Sequence, residues 1–357
     1  MNIEKLHKSA IVFDAHVDTA IPVLDYKCDL AKNSRKNQVD IPKLRAGGVD
    51  ALIFAAFVNP EYKEQSYKRA VAILTSMKKQ IEKNSKDLEL VLDGKKIEEV
   101  CNNGKIAAIL SVEGGHAIGD DISNLDKFYS SGVRVLTLTW MNNNYFADGS
   151  GDTPKWNGLN ELGVKVIKRM NELGMVIDVS HSSDKTFYDV LKITKKPVIA
   201  SHSGVRAIYD FHRNMTDDML KALSDNGGVV GIPFSPSFLD KDFAIKQKEI
   251  MKKFEEKKDN NINERSNKLF LNKEIKKIIK PIEVSRLVDH IDHAVRIAGI
   301  NHVGLGSDFD GITFFVQGLE NCSKMSNITS ELVKRAYTEN DIKKILGKNF
   351  LRVLKEV

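Results

Sequence analysis

Eight short runs along the 357-residue chain are apolar at nearly every position and rich in β-branched residues: 11–16, 49–58, 106–112, 133–139, 175–180, 197–201, 228–232 and 302–307. A strand with one wet face alternates apolar and polar residues, so continuous apolar runs predict parallel strands covered on both faces. Between the runs the spacing turns helical. In 159–173 the residues Leu159, Leu162, Val166, Ile167, Met170 and Leu173 share a face, and Gly174 follows where a left-handed residue would end the helix. A second unit runs over 215–223, and 338–357 puts Ile342, Ile345, Leu346, Phe350, Leu351 and Leu354 on one face as a closing helix. Repeated αβ units select a barrel or an open doubly wound sheet. The strand count favours the barrel, and so do polar residues on both the first and last strands, which only a closed ring brings together. No GxGxxG follows a strand, which removes the usual dinucleotide site. The predicted fold is α/β, a (β/α)8 TIM barrel forming a single domain over 1–357. A Lys-, Glu- and Asn-rich insertion at about 235–281, with DNNINE at its centre, follows strand seven. It reads as a solvated helical excursion, or as a lid or dimer contact over the strand ends.

Composition narrows this little. Lys and Arg number 54 against 48 acidic residues, a net charge of +6, and the Lys-rich stretches 78–86 and 273–280 lack interleaved aromatics. They read as solvated faces, so no nucleic-acid partner is expected. The three cysteines, Cys28, Cys101 and Cys322, are far apart with no CxxC, which argues against a disulfide framework and a thiolate metal site. The opening MNIEKLHKSAIVFDAH has no long apolar segment, and no run reaches the ~18 apolar residues of a membrane span. A soluble, cytoplasmic protein is the expectation.

The candidate chemistry lies at the strand ends. His16 and Asp18 close the first run, two apart, so that in an extended segment both side chains point the same way. Glu113 follows the third run in SVEGGH, His181 the fifth in IDVSHSS, and His202 the sixth in IASHSG. A lone histidine is ordinarily a hydrogen-bonded structural residue. Five metal-binding residues on successive strand ends instead describe a site in which His16 and Asp18 grip one ion, His181 and His202 another, and Glu113 gives an oxygen to each. Imidazole and carboxylate without thiolate suit two zinc ions, with manganese, cobalt or iron as other divalent candidates. A hydroxide bridging such ions could attack a carbonyl at neutral pH. Asp308, ending the last run in HVGLGSDFDG, is the acid placed to take the proton and hand it to a leaving amine. Asp310, before Gly311, reads as a turn residue. His290 and His293 form an HxxH away from any strand end and are expected on the surface; His302 begins the last strand at the opposite rim. His116 reads as a loop residue, and His7 and His212 carry no such signal.

DAHVD, SVEGGH, LTLTW, IDVSHSS, SHSGVRAI…RN, HVGLGSDFDG and ILGKNFLRV, in this order across nearly the whole chain, resemble the membrane dipeptidase (renal dipeptidase) family of zinc peptidases. The resemblance implies a metallo-dipeptidase with two zinc ions, whose partner is a small dipeptide; some members take a D-residue at the C-terminal position and some open β-lactams. It implies His16 and Asp18 on one zinc, Glu113 bridging, His181 and His202 on the other, and Asp308 as proton shuttle. It also assigns Arg213 to the substrate carboxylate, a fork that suits Arg better than Lys; from the residues alone Arg213 reads as surface. Mammalian members carry a histidine after LTLT where this chain has Trp140, so Trp140 and a neighbour, Asn142 or Asn144, become the candidate substrate contacts there. Nothing in the sequence carries over the lipid anchor of those members. Similar barrels form homodimers, the one assembly the resemblance brings with it. Two other readings remain: a metal-dependent amidohydrolase acting on a lactone, cyclic amide or N-acyl amino acid, and a catalytically dead metal-binding scaffold.

Overall fold

The computed structural model describes residues 2–255 and 279–357. Its strands are β1 (Val12–Val17), β2 (Val49–Phe57), β3 (Leu88–Leu90), β4 (Ile106–Glu113), β5 (Val133–Thr137), β6 (Val176–Asp178), β7 (Ile199–Ala200), β8 (Val229–Ile232) and β9 (Val303–Leu305). The sheet runs β1-β2-β4-β5-β6-β7-β8-β9, each neighbouring pair parallel. Just beyond β9 the backbone returns to β1: Asp308 N donates to His16 O at 2.9 Å and Asp18 N to Phe309 O at 2.8 Å. The result is a nearly closed barrel of eight parallel strands, as the hydrophobic pattern predicts.

The ninth strand, β3, is one the pattern does not reveal. It is a three-residue LEL segment that pairs with the first half of β4, while β5 takes the second half. Elsewhere the punctuation works as read. The helix Glu161–Leu173 starts at Asn160, whose side chain accepts from Gly163 N, and stops at Gly174 with φ +70°. Thr216 caps Asp217–Asp225 in the same way. The closing helix is Glu339–Lys343 and Asn349–Glu356 joined by a wide π turn, Lys344–Lys348. Gly347 in that turn lies so near β1 that a Cβ would sit 2.3 Å from Ile11 O. The insertion after β8 begins with helices Pro236–Leu239 and Lys241–Glu255; DNNINE lies outside the described residues. Among the described residues no helix is long and apolar enough to cross a membrane. None of the three cysteines is in a disulfide.

Strand alternation builds the barrel interior in layers. Ile53, Ile109, Val135, Val176, Ile199 and Val229 fill its lower part, stoppered by Phe350, Leu351, Val353 and Leu354 of the closing helix. Phe13 of β1 stacks on Phe350 at 5.6 Å. One inward step further along each strand the residues turn small or polar: Ser111, Thr137, Asp178, Ser201, Gly231. Glu113 stands one step above Ser111. The apolar floor thus gives way to a polar layer directly beneath the strand ends.

Candidate metal centre

The strand ends do bring their polar residues together. The ligand atoms of His16, Asp18 and Glu113 lie within 4.8 Å of one another, and so do those of Glu113, His181 and His202. Glu113 belongs to both groups, and its two oxygens divide between them. Oε2 is 3.3 Å from His16 Nε2, whereas Oε1 is 2.9 Å from His181 Nε2 and 3.6 Å from His202 Nε2. His181 Nε2 and His202 Nε2 are only 2.8 Å apart. All five side chains are buried.

Burial makes this cluster electrostatically uncomfortable. Desolvation pushes the His16 imidazolium down, yet the Glu113, Asp18 and Asp308 charges outweigh it and raise His16 to about 10. Glu113 is held well below the usual carboxylate range, against its own burial, by His16 and His181. Burial and the Glu113 charge drive Asp18 well above its ordinary value and bring Asp308 to about 6. His181 falls to about 4 through burial and the nearby Arg213 charge, and burial also pushes His202 well down. Three buried carboxylates crowded on one another among buried imidazoles are the environment a divalent cation relieves. Two ligand atoms also lack any hydrogen-bond partner, His16 Nε2 and Asp18 Oδ1. Orphaned buried polar atoms are rare and call for an explanation. The donor set of imidazoles and carboxylates fits metal ions of the zinc type.

The backbone here is strained as well. His181 and Asp308 have φ of +68° and +64°, in the left-handed region that glycine occupies more cheaply. Such conformations cost about 1–3 kcal/mol and persist where the side chain is needed. Gly311 permits a close approach: a Cβ there would sit 2.0 Å from Asp18 Oδ2 and 2.6 Å from Asp308 Oδ1.

A cavity of about 880 Å³ opens over the cluster, lined at its base by Asp18, Glu113, His181, His202 and Asp308. Trp140 forms part of its wall, 5.2 Å from Phe57 and 6.2 Å from His181 between ring centres. Arg213 is not the surface residue its local sequence indicates. It is buried, its Nη2 donates to His202 O at 3.0 Å, and its Nε is unpartnered. Asn142 is not among the lining residues; its amide donates to Asn143 O at 2.9 Å. Asn144 is spent on structure, donating to Leu138 O and accepting from Phe146 N and Ala147 N. Neither asparagine is therefore presented to the cavity in the way the neighbouring Trp140 is.

Of the histidines away from the cluster, His7, His290 and His293 have both ring nitrogens engaged, whereas His116 binds Val58 O through Nε2 and leaves Nδ1 unpartnered. His290, expected on the surface, is buried and links Val205 N (3.0 Å) to Leu239 O (2.9 Å). It shares the apolar helix face with Leu287, Ile291 and Ala294, so a 3.6-residue reading would have placed it inside. His302 binds Gly228 O at 2.7 Å on the far rim. Asp178 has no place among the strand-end residues the sequence marks: it sits in the polar layer, close enough to His16 and His202 to form a third group. The signal was an acid at the inward position of an otherwise apolar strand.

The family profile described as membrane dipeptidase (peptidase family M19) matches residues 1–357. An uncharacterized dipeptidase of Schizosaccharomyces pombe is 33% identical over 99% of this chain and 82% of its own length. Dipeptidase tcpJ of Claviceps purpurea is 31% identical over 89% of this chain and 69% of its own. Among solved structures, the probable dipeptidase PvdM of Pseudomonas aeruginosa superposes with a TM-score of 0.87 at 27% identity, covering 99% of this chain and 97% of that one.

Proposed function

The chain belongs to the membrane dipeptidase family, peptidase family M19, and from that premise we propose that it is a binuclear zinc dipeptidase cleaving L-L dipeptides and those with a D-residue at the C-terminal position. The observation that carries this reading is the division of Glu113, with one oxygen facing His16 and the other facing His181 and His202. In this reading His16 and Asp18 hold one zinc, His181 and His202 the second, and Glu113 both. The ions, when bound, polarise the scissile carbonyl and acidify the attacking water. Asp308, at the cavity base beside Asp18, takes the proton from that water and returns it to the leaving amine. Arg213, with its Nε–H free and its charge felt at His181 and His202, forks onto the substrate's terminal carboxylate. A carboxylate anchor that close to the reacting carbonyl restricts the enzyme to very short peptides. Trp140 and Phe57 form an aromatic wall, and the indole N–H is the one donor that wall offers.

The test is hydrolysis of a panel of L-L and L-D dipeptides set against their amides, N-acyl amino acids and lactones. Dipeptides with a free carboxylate are the expected substrates, and the Asp308→Asn protein should keep its zinc while losing about 10²–10⁴-fold in kcat. Preference for lactones or dipeptide amides, or full turnover by Asp308→Asn, contradicts the reading.

A further inference from the structure

Among the described residues three carboxylate–imidazole groups lie within 4.8 Å ligand spacing, and the proposed chemistry uses two of them. The third, His16 with Asp178 and His202, admits Asp178 either as an extra ligand or as something else. Its hydrogen bonds decide. Oδ2 accepts from Thr137 Oγ1 and from Ser201 Oγ, each at 2.6 Å. Oδ1 accepts from Ser180 N at 3.0 Å and from Ser201 N at 2.9 Å. Two donors on each oxygen fill the capacity of a carboxylate, which leaves none for an ion. Asp178 is therefore not a spare ligand.

The consequence passes to Ser201. Its hydroxyl has one proton, and that proton is committed to Asp178 Oδ2. The oxygen must then act as acceptor towards His202 Nδ1, which lies 2.8 Å away. An imidazole that donates from Nδ1 has its lone pair on Nε2, and Nε2 is the atom that faces Glu113. The same hydroxyl stands 3.4 Å from His16 Nδ1, so one serine adjoins a histidine of each ligand group. We propose that Asp178, acting through the Ser201 hydroxyl, is the positioning residue that fixes His202 as the Nδ1–H tautomer and so keeps its Nε2 free to bind metal. The direction of the chain requires a carboxylate. An amide in its place would donate to Ser201, release the serine proton towards His202 Nδ1, and move the imidazole proton to Nε2. Carboxylate-linked partners of this kind orient metal-binding histidines, and losing one costs about 10–100-fold in metal affinity.

This inference rests on the zinc reading, and the experiment separates the two. Metal-free protein is titrated with zinc against a chromophoric chelator for wild type, Asp178→Asn, Ser201→Ala and the double variant, with circular dichroism and thermal melts reporting the fold. Both single variants should bind zinc about 10–100-fold more weakly, and the double variant no more weakly than the worse single, because both break one chain. In zinc-loaded wild type, ¹⁵N-histidine spectra should place the His202 proton on Nδ1. If Asp178→Asn fails to fold, Ser201→Ala reads the same link, since it removes the hydroxyl and leaves Asp178 its other three donors. Weakened binding in Asp178→Asn with wild-type affinity in Ser201→Ala would make Asp178 a ligand and overturn the proposal. So would unchanged affinity in a folded Asp178→Asn, additive losses, or a proton on Nε2. A wild type that binds no zinc overturns the metal reading itself, and the relay with it.

Discussion

The two ends of the barrel treat polar groups in opposite ways. At the floor each has a mate: His302 holds Gly228 O, Asn349 donates to Ile300 O and Val303 O, and Arg352 donates to Gly227 O. Between these bonds Phe13 and Phe350 close the interior. At the mouth, His16 Nε2 and Asp18 Oδ1 have no partner, like charges crowd Asp18 and Asp308, and His181 and Asp308 hold a backbone conformation that suits glycine. One set of strands therefore carries both a satisfied end and a frustrated one. The lesson is a division of labour, in which stability resides below and the cost of chemistry is carried above.

Substitutions should respect that division. The largest effect is expected from Glu113→Gln, which removes the carboxylate shared by both ligand groups. Dipeptide turnover should fall by about 10³-fold or more, since metal catalysis supplies several kcal/mol. Its melting temperature without metal should fall less than that of Phe350→Ala, because His16 keeps Asp18 and Asp308 as counter-charges when the Glu113 carboxylate is lost. A large loss of metal-free stability would break the division. Phe350→Ala is its counterpart on the floor. It should cost about 3–5 kcal/mol of stability in denaturant titrations and leave zinc stoichiometry intact in the folded fraction.

His290 sharpens the contrast by pH. Burial pushes its pKa down from 6.5 to about 4, so the folded protein resists a proton that the unfolded chain accepts. Its contribution is intact above pH ~6.5 and is lost as pH falls from there towards ~4, by about 3 kcal/mol in total. His290→Gln should flatten that part of the stability–pH curve, and an unchanged acid limb would show that other groups set it. The smallest of these effects belongs to Arg213→Ala, about 10–100-fold in kcat/KM for dipeptides, as for one lost charge-assisted bond. Arg213→Lys should restore little, because an ammonium cannot reproduce the fork. Equal kcat/KM in Arg213→Ala would remove this residue from the substrate site.

Much of the mouth was legible because strand ends are where period-2 alternation and chemistry coincide. His16, Asp18, Glu113, His181 and His202 each terminate an apolar run, and nothing but the run's end was needed to find them. Asp178 was harder, since one inward acid inside a short strand looks like part of IDVSHSS until the layers are stacked. Arg213 gives no periodic signal: its burial comes from the fold around β7, not from its own neighbours. Asn142 follows Trp140 closely, but adjacency in a loop does not fix direction, and its amide turns to Asn143. His290 looks like part of an HxxH pair, but it is one position of an apolar helix face. β3 is too short to announce itself.

The measurement that bears most directly on this account is the zinc stoichiometry of the protein, read together with dipeptide hydrolysis during the same titration. The account predicts two zinc ions per chain, with activity appearing as the sites fill and vanishing on chelation. A single ion, or full hydrolysis in metal-free protein, would contradict it.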